Sequence, residues 1–406
     1  MTSEAGELNS AAVAAPRIDL ATLACIAAGG LALAYPAYLF LMFQSGNWIL
    51  EANGRPSVSD FLVFWQAGRL ALKGAAASAY VPQLLHAVEA SAAGHGFTSQ
   101  LPWRYAPLFF FVTAPLALLP YASAFFLWVA GTLALFGAVV SRIARTPVGL
   151  VLACASPAVF INGIGGQNGP LTAALIGASL LSLEEYPVAS GIFVALLSYK
   201  PQFGILFPLI FIAGGYWRAL IAATLATLAT VVASSVVFGA GSIAAFLHFL
   251  PITSNELLIH GANGFNKLET AYGLMRWLGI ANAAAWTVQA AVVAITAMAL
   301  IWLWRSEIPY AVKAAAAAVA TLVATPHLYP YDFAVLSVAF AFLYRARAFD
   351  LVEVIAIAAA FLFIGAFLFF PSPICLLSTV ITVAIVVRRV LAPDLRALQV
   401  TAPAHS

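Results

Sequence analysis

The residues best suited to chemistry are few and lie far apart in the chain. Asp60 leads Ser59-Asp60-Phe61-Leu62-Val63-Phe64-Trp65-Gln66-Ala67-Gly68-Arg69, an aromatic, amphipathic run that follows the first very apolar segment. In a chain with only 8% charged residues, a carboxylate placed beside a membrane is a candidate general base. A second reading stands beside it. Ser57-Val58-Ser59-Asp60 resembles a capping box, and the macrodipole favours a carboxylate at a helix start. The two roles are compatible, although the same dipole lowers the carboxylate's pKa and weakens it as a base.

Five other polar clusters interrupt apolar sequence. Lys200 breaks the stretch from Gly191 to Ile212 and is followed by Pro201, which ends a helix, and by the amide of Gln202. Its ammonium either snorkels to the interface or faces a cavity, where it would clamp a phosphate. Thr325-Pro326-His327-Leu328-Tyr329-Pro330-Tyr331-Asp332 gathers a histidine, two tyrosines and a carboxylate at a helix end. Alone, His327 reads as a helix-end histidine; with Asp332 near it, the imidazole would be held charged and donate to a phosphate.

Gly163-Ile164-Gly165-Gly166-Gln167-Asn168-Gly169-Pro170 offers glycine-freed backbone amides and the side chains of Gln167 and Asn168 to hydroxyls or phosphate oxygens. It has neither the spacing of a Walker A loop nor that of a dinucleotide fingerprint. Arg104-Tyr105 in Pro102-Trp103-Arg104-Tyr105-Ala106-Pro107 suits an anion, or simply an aromatic belt against lipid headgroups. Asn266-Lys267 adds an amide and a cation. No HExxH, GxSxG or kinase signature is present, so no metal site is expected. Cys25, Cys154 and Cys375 each lie in an apolar segment without CxxC spacing and read as buried free thiols.

The elements that must position these groups are membrane helices. With 63% hydrophobic residues over 406 positions and a mean hydropathy of +0.99, the chain cannot cover a water-soluble globule of this size. The alternating pattern of barrel strands is missing, so helices must satisfy the backbone in lipid. The fold class is all-α and polytopic. The net charge of +3 is spread over short loops, which excludes a nucleic-acid-binding domain.

About twelve crossings can be drawn, over 18-43, 121-141, 147-162, 169-183, 187-199, 202-216, 219-239, 283-304, 310-325, 331-345, 350-370 and 373-390. The first is longer than the apolar core of a cleavable signal and reads as a retained helix. The stretch 105-120 is apolar but carries three prolines. If it does not cross, the short loops with Arg142, Arg145, Arg218, Arg305, Lys313, Arg345, Arg347, Arg388 and Arg389 all fall on the cytoplasmic side, as the positive-inside rule requires. It is therefore read as re-entrant or interfacial. The result is one transmembrane domain over 1-406, with cytoplasmic tails 1-17 and 391-406 and helix-rich extracytoplasmic loops at 44-120 and 240-282. In the first loop, Leu62, Trp65, Arg69 and Lys73 share a face that would lie along the membrane surface.

Taken in order, Asp60 to Arg69, Arg104-Tyr105-Ala106-Pro107, Gly166-Gln167-Asn168, Lys200-Pro201-Gln202 and Pro326-His327 with Tyr331-Asp332 resemble glycosyltransferase family 87. These are polyprenol-phosphate-mannose-dependent mannosyltransferases of the membrane-embedded GT-C class. The resemblance implies a GT-C fold, a catalytic acidic residue in the first extracytoplasmic loop, matched by Asp60, and a histidine near the donor phosphate, matched by His327. Tyr105-Ala106-Pro107 departs from the family's more usual Tyr-Pro-Pro.

A displacement from a lipid phosphate needs one base and no general acid, because the leaving phosphate already carries charge. Asp60 would then take the acceptor's proton, with inversion, while His327, Lys200 and Arg104 bind the donor phosphate. Tyr105, Gln167, Asn168, Gln202, Asn266, Lys267, Tyr329, Tyr331 and Asp332 would contact substrate. No cofactor is expected beyond the polyprenyl-phosphate sugar itself. The expected partners are membrane lipids, that donor and a glycan or glycolipid acceptor at the extracytoplasmic side of the plasma membrane. The alternative from another class is a secondary transporter or flippase, whose broken helices also make polar sites but come in matching halves.

Overall fold

The computed structural model describes residues 20–94 and 101–391, with side chains from Ile26 onward, so the tails 1-17 and 391-406 and the Cys25 thiol fall outside the described residues, save Leu391. Helices α1 (Leu20–Gln44), α2 (Asp60–Leu72), α3 (Pro82–Ala93), α4 (Phe110–Leu116) and α5 (Tyr121–Ala144) come first. Then follow α6 (Val148–Cys154), α7 (Pro157–Gly165), α8 (Gly169–Ser182), α9 (Pro187–Leu196), α10 (Phe207–Ala213), α11 (Trp217–Phe238) and α12 (Ala240–Ser254). The chain ends with α13 (Ala271–Trp277), α14 (Asn282–Arg305), α15 (Tyr310–Ala324), α16 (Val335–Ala346), α17 (Leu351–Ala366) and α18 (Leu376–Leu391). Among the described residues the only sheet is a two-stranded hairpin, Asn47–Trp48 with Leu50–Glu51.

Among the described residues six helices are long and apolar enough to cross a membrane, or seven if the bent pair α6–α7 counts as one span. That is fewer than the twelve read from hydropathy. The difference lies in α8, α9, α10, α15, α16 and α17, which are apolar but short. Hydropathy does not distinguish a residue facing lipid from one facing protein, and α8, α15 and α16 are buried along most of their length. α16 packs against α5, α6, α8, α15 and α18. Protein thus meets α8, α15 and α16 and the polar breaks beside them, as their backbone requires.

Two further expectations change. Residues 240-282, read as a loop, open with a helical stretch Ala240–Ile259 that is itself long and apolar enough to span. α2 does not present its Leu62–Trp65–Arg69–Lys73 face as an open one. Phe61, Leu62, Phe64, Ala67 and Leu70 are buried, and Gly68 sits so close to α4 that a Cβ there would meet the Thr113 carbonyl oxygen at 2.2 Å. Only the outer edge remains, where Arg69 covers the Trp65 ring at 4.8 Å and Lys73 is exposed. The segment 107-116 is ten helical residues, reaching ~15 Å, about half a hydrocarbon core. Cys375 is a buried free thiol, whereas Cys154 is half-buried.

Candidate active site

Asp60 is the first residue of α2, and Ser59 is its N-cap in extended conformation. The expected capping box is not made. Ser59 makes no side-chain cap, its hydroxyl instead meeting the Tyr121 hydroxyl at 2.9 Å. The Asp60 carboxylate is therefore left to a cavity of about 360 Å³. An aromatic cluster anchors the helix beneath it, with the Phe64 ring edge-on to Tyr105, Phe109 and Trp128 at 5.2, 5.3 and 5.9 Å. Such pairs contribute ~0.5–1.5 kcal/mol each beyond area burial.

The glycine segment after α7 supplies the opposing wall. Gly166 takes φ +65, and a Cβ there would meet the Phe61 Cβ at 2.6 Å, so only glycine lets α7 end against α2. The carbonyls freed at that helix end are taken by two indoles: Trp48 Nε1 donates to Gly163 O and Ile164 O, and Trp128 Nε1 to Gly166 O at 2.9 Å. Gln167 then hydrogen-bonds Asp60, its own Oε1 remaining without a partner. Gly169 approaches the Tyr331 carbonyl closely, and Asn162 ties the two segments by accepting from Gly169 N and donating to Tyr331 O, both at 2.8 Å.

The remaining wall carries cations. Arg104 Nε donates to Thr253 Oγ1 of α12 at 3.0 Å. Lys200, buried, donates to Asp332 Oδ1 at 2.9 Å and lies over the Tyr331 ring at 5.0 Å. The other Asp332 oxygen accepts from Tyr329 N at 3.2 Å. Asp332 is thus committed to Lys200 and not to His327, so the imidazole is not held charged. Burial, then Arg104 and Lys200, push His327 down to about 3. Its Nε2 is buried without a partner. Asp60 moves the other way from the one its helix dipole favours: desolvation raises it, and its bond to Gln167 with the charges of Arg104, Lys267 and Lys200 only partly offsets this.

Asp60, Arg104, Tyr105, Gln167, Lys200, Gln202, Lys267, His327, Tyr329, Tyr331 and Asp332 all line this one cavity. Asn168 does not reach it; its side chain is fully buried behind the wall, and neither of its polar atoms has a hydrogen-bond partner. Asn266 points away and donates to Pro371 O at 3.3 Å. Residues not expected from sequence join the site. Tyr199 lines it and meets Thr172 at 2.5 Å, and Asn263 donates to the Tyr329 hydroxyl at 3.0 Å. Thr253 holds Arg104 and Asn162 staples the loops, each signalled only as a polar residue interrupting an apolar helix. Among the described residues no three His, Cys, Asp or Glu side chains gather as a metal site.

A helical protein with several helices long and apolar enough to span a membrane, whose buried carboxylate, cations and amides share one cavity, is built as a membrane protein with a polar site inside it. The sequence profile of glycosyltransferase family 87 matches residues 103–326, more than half of the chain, and the chain belongs to that family. It is therefore a membrane glycosyltransferase. Arg104, Tyr105, Gln167, Asn168 and Lys200 lie within the match, Asp60 before it and His327 just beyond. No curated protein and no solved structure matches the chain significantly.

Proposed function

We propose that the chain is an inverting transferase that moves a sugar, mannose by the family resemblance, from a polyprenyl phosphate to the hydroxyl of an extracytoplasmic glycan or glycolipid in the cell envelope. The observation that carries this reading is the single cavity in which a desolvated carboxylate faces Arg104, Lys267 and the partnerless Nε2 of His327. The acceptor oxygen bonds to the anomeric carbon as the bond from that carbon to the phosphate oxygen breaks, its electron pair leaving with the phosphate. The acceptor proton passes to Asp60. A phosphodiester monoanion becomes a monoester dianion, and the cationic wall stabilises the charge that grows. Family membership sets the transporter reading aside.

Incubation of the purified protein with a panel of radiolabelled polyprenyl-phosphate sugars tests this. One donor is expected to be turned over, and Asp60→Asn is expected to lower transfer by ~10²-fold or more, the usual contribution of a positioned base. A panel in which nothing is transferred or hydrolysed, or an Asp60→Asn variant that keeps wild-type transfer, overturns the proposal.

A further inference from the structure

A second cavity, of about 380 Å³, opens between α1, α5 and α7. Its walls are Tyr35, Leu39 and Phe43 from α1, Val129 and Leu133 from α5 and Phe160 from α7. Few polar side chains reach it. Thr132 is satisfied by the Trp128 carbonyl, and Asn162 by Ala158 O, Gly169 N and Tyr331 O. Among the described residues on this wall only Gln167 keeps a buried side-chain N or O without a partner, its Oε1, and only Gln167 lines both cavities. A wall of this kind cannot recognise a sugar or an anion, because beyond that one carbonyl it offers no free buried group to replace the hydrogen bonds lost to water. It suits a hydrocarbon chain.

Two chains compete for it, the donor's and an acceptor's. The groove touches none of Arg104, Lys200, Lys267 and His327, where the phosphate belongs. The cavity that holds those cations has an apolar wall of its own, Phe246 and Leu250 of α12 with Leu257 and Leu258 beyond it, and Arg104 is hydrogen-bonded to Thr253 between them. A chain attached to the phosphate leaves along that wall. What arrives past Gln167 arrives at Asp60, because Gln167 is bonded to that carboxylate. The group that must meet the base is the attacking hydroxyl.

We infer that the acceptor is a membrane-anchored glycolipid whose apolar chain lies in the α1–α5–α7 groove and whose sugar headgroup passes Gln167 to present its hydroxyl to Asp60. This rests on the transferase reading. A water-soluble glycan acceptor is thereby disfavoured.

Trp48 lines the groove and reports on it independently of turnover. Protein in nanodiscs is titrated with octyl mannoside brominated in its alkyl chain, with phosphatidylcholine brominated in its acyl chains, and with a brominated short polyprenyl phosphate. The Trp48 signal is taken as wild type minus Trp48→Phe. The glycoside is expected to quench at least half of that signal, the other two probes less than a fifth as much. Ala130→Phe, which fills the groove, is expected to weaken glycoside quenching at least fivefold. Leu225→Phe, on the exposed face of α11 away from the groove, should not.

Equal quenching by the phospholipid means that bulk lipid fills the groove, and quenching by the polyprenyl phosphate alone means that the donor tail does. Either overturns the inference, as does the absence of quenching by all three. If the donor panel shows no transfer while the glycoside still quenches Trp48, the chemistry fails and the groove assignment stands.

Discussion

The Lys200 ammonium lies 2.9 Å from the Asp332 carboxylate, both buried, and the second Asp332 oxygen holds the backbone of Tyr329. The pair fixes the segment between α15 and α16 against the break after α9, and with it His327 and Tyr331. Lys200 is thus a cation already partnered before any substrate binds, and Asp332 positions it.

Removing one member leaves the other charged and unpaired. Lys200→Met and Asp332→Leu are each expected to cost ~3–5 kcal/mol. The double variant Lys200→Met/Asp332→Leu should recover much of that stability, since a buried pair is often replaceable by apolar groups, yet it should not recover transfer. Thermal unfolding in detergent alongside a transfer assay checks both halves. A double variant as unstable as the sum of the singles would show that the two side chains are not coupled.

Asp60 yields a prediction with a definite sign. Its folded pKa is raised by burial, so the folded protein binds this proton more tightly than the unfolded chain does. Ionised Asp60 therefore destabilises the fold above that pKa, and the penalty disappears as pH falls. Asp60→Asn should be at least as stable as wild type at pH 7, with the gap closing in acid. As a base Asp60 must be ionised, so kcat/KM should rise with pH through a midpoint above the ordinary carboxylate range of ~4. A midpoint at or below that value, or a destabilised Asp60→Asn, contradicts the assignment.

What the sequence made legible follows from cost. Asp60, Lys200 and His327 could be singled out because an ionisable group costs ~2.5–3.5 kcal/mol at membrane depth and so needs a partner or a use. Which partner it has depends on contacts between residues as far apart as Lys200 and Asp332. Proximity in sequence suggested Asp332 for His327, and the fold gave it to Lys200. Asn266 beside Lys267 looked like part of the same site, but the short helical turn at Phe265–Lys267 sends the two side chains different ways. Gly169 opened the crossing drawn over 169-183, and only the Tyr331 carbonyl against it shows why it must be glycine.

His327 is neutral in the unliganded site because it is buried beside Arg104 and Lys200. It can therefore serve a phosphate by donating one N–H, a task an amide can share. His327→Gln is expected to keep the donor KM within ~5-fold, whereas His327→Ala, which removes the donor and leaves a void, should raise it ~10-fold or more, the range for a lost hydrogen bond to a charged group. Kinetics at fixed acceptor concentration distinguish them. Equal losses in both variants would mean that the positive charge, not the N–H, is what the donor needs.

Asp60 and His327 share one cavity, so α2 and the segment before α16 must open to the same side of the membrane. The proposed side is extracytoplasmic, because arginines such as Arg142 and Arg145 end α5 in a short loop of the kind retained in the cytoplasm. Ala262 and Thr146 are exposed and mark the two sides. In a background with Cys25, Cys154 and Cys375 changed to alanine, Ala262→Cys should react with a membrane-impermeant maleimide in intact cells. Thr146→Cys should react only after lysis. The opposite pattern would move the cavity to the cytoplasm and remove the polyprenyl-phosphate sugar as donor in favour of a soluble nucleotide sugar. Labelling of both before lysis would mean that the helices from α6 to α12, which lie between them in the chain, do not place the two positions on opposite sides of the membrane.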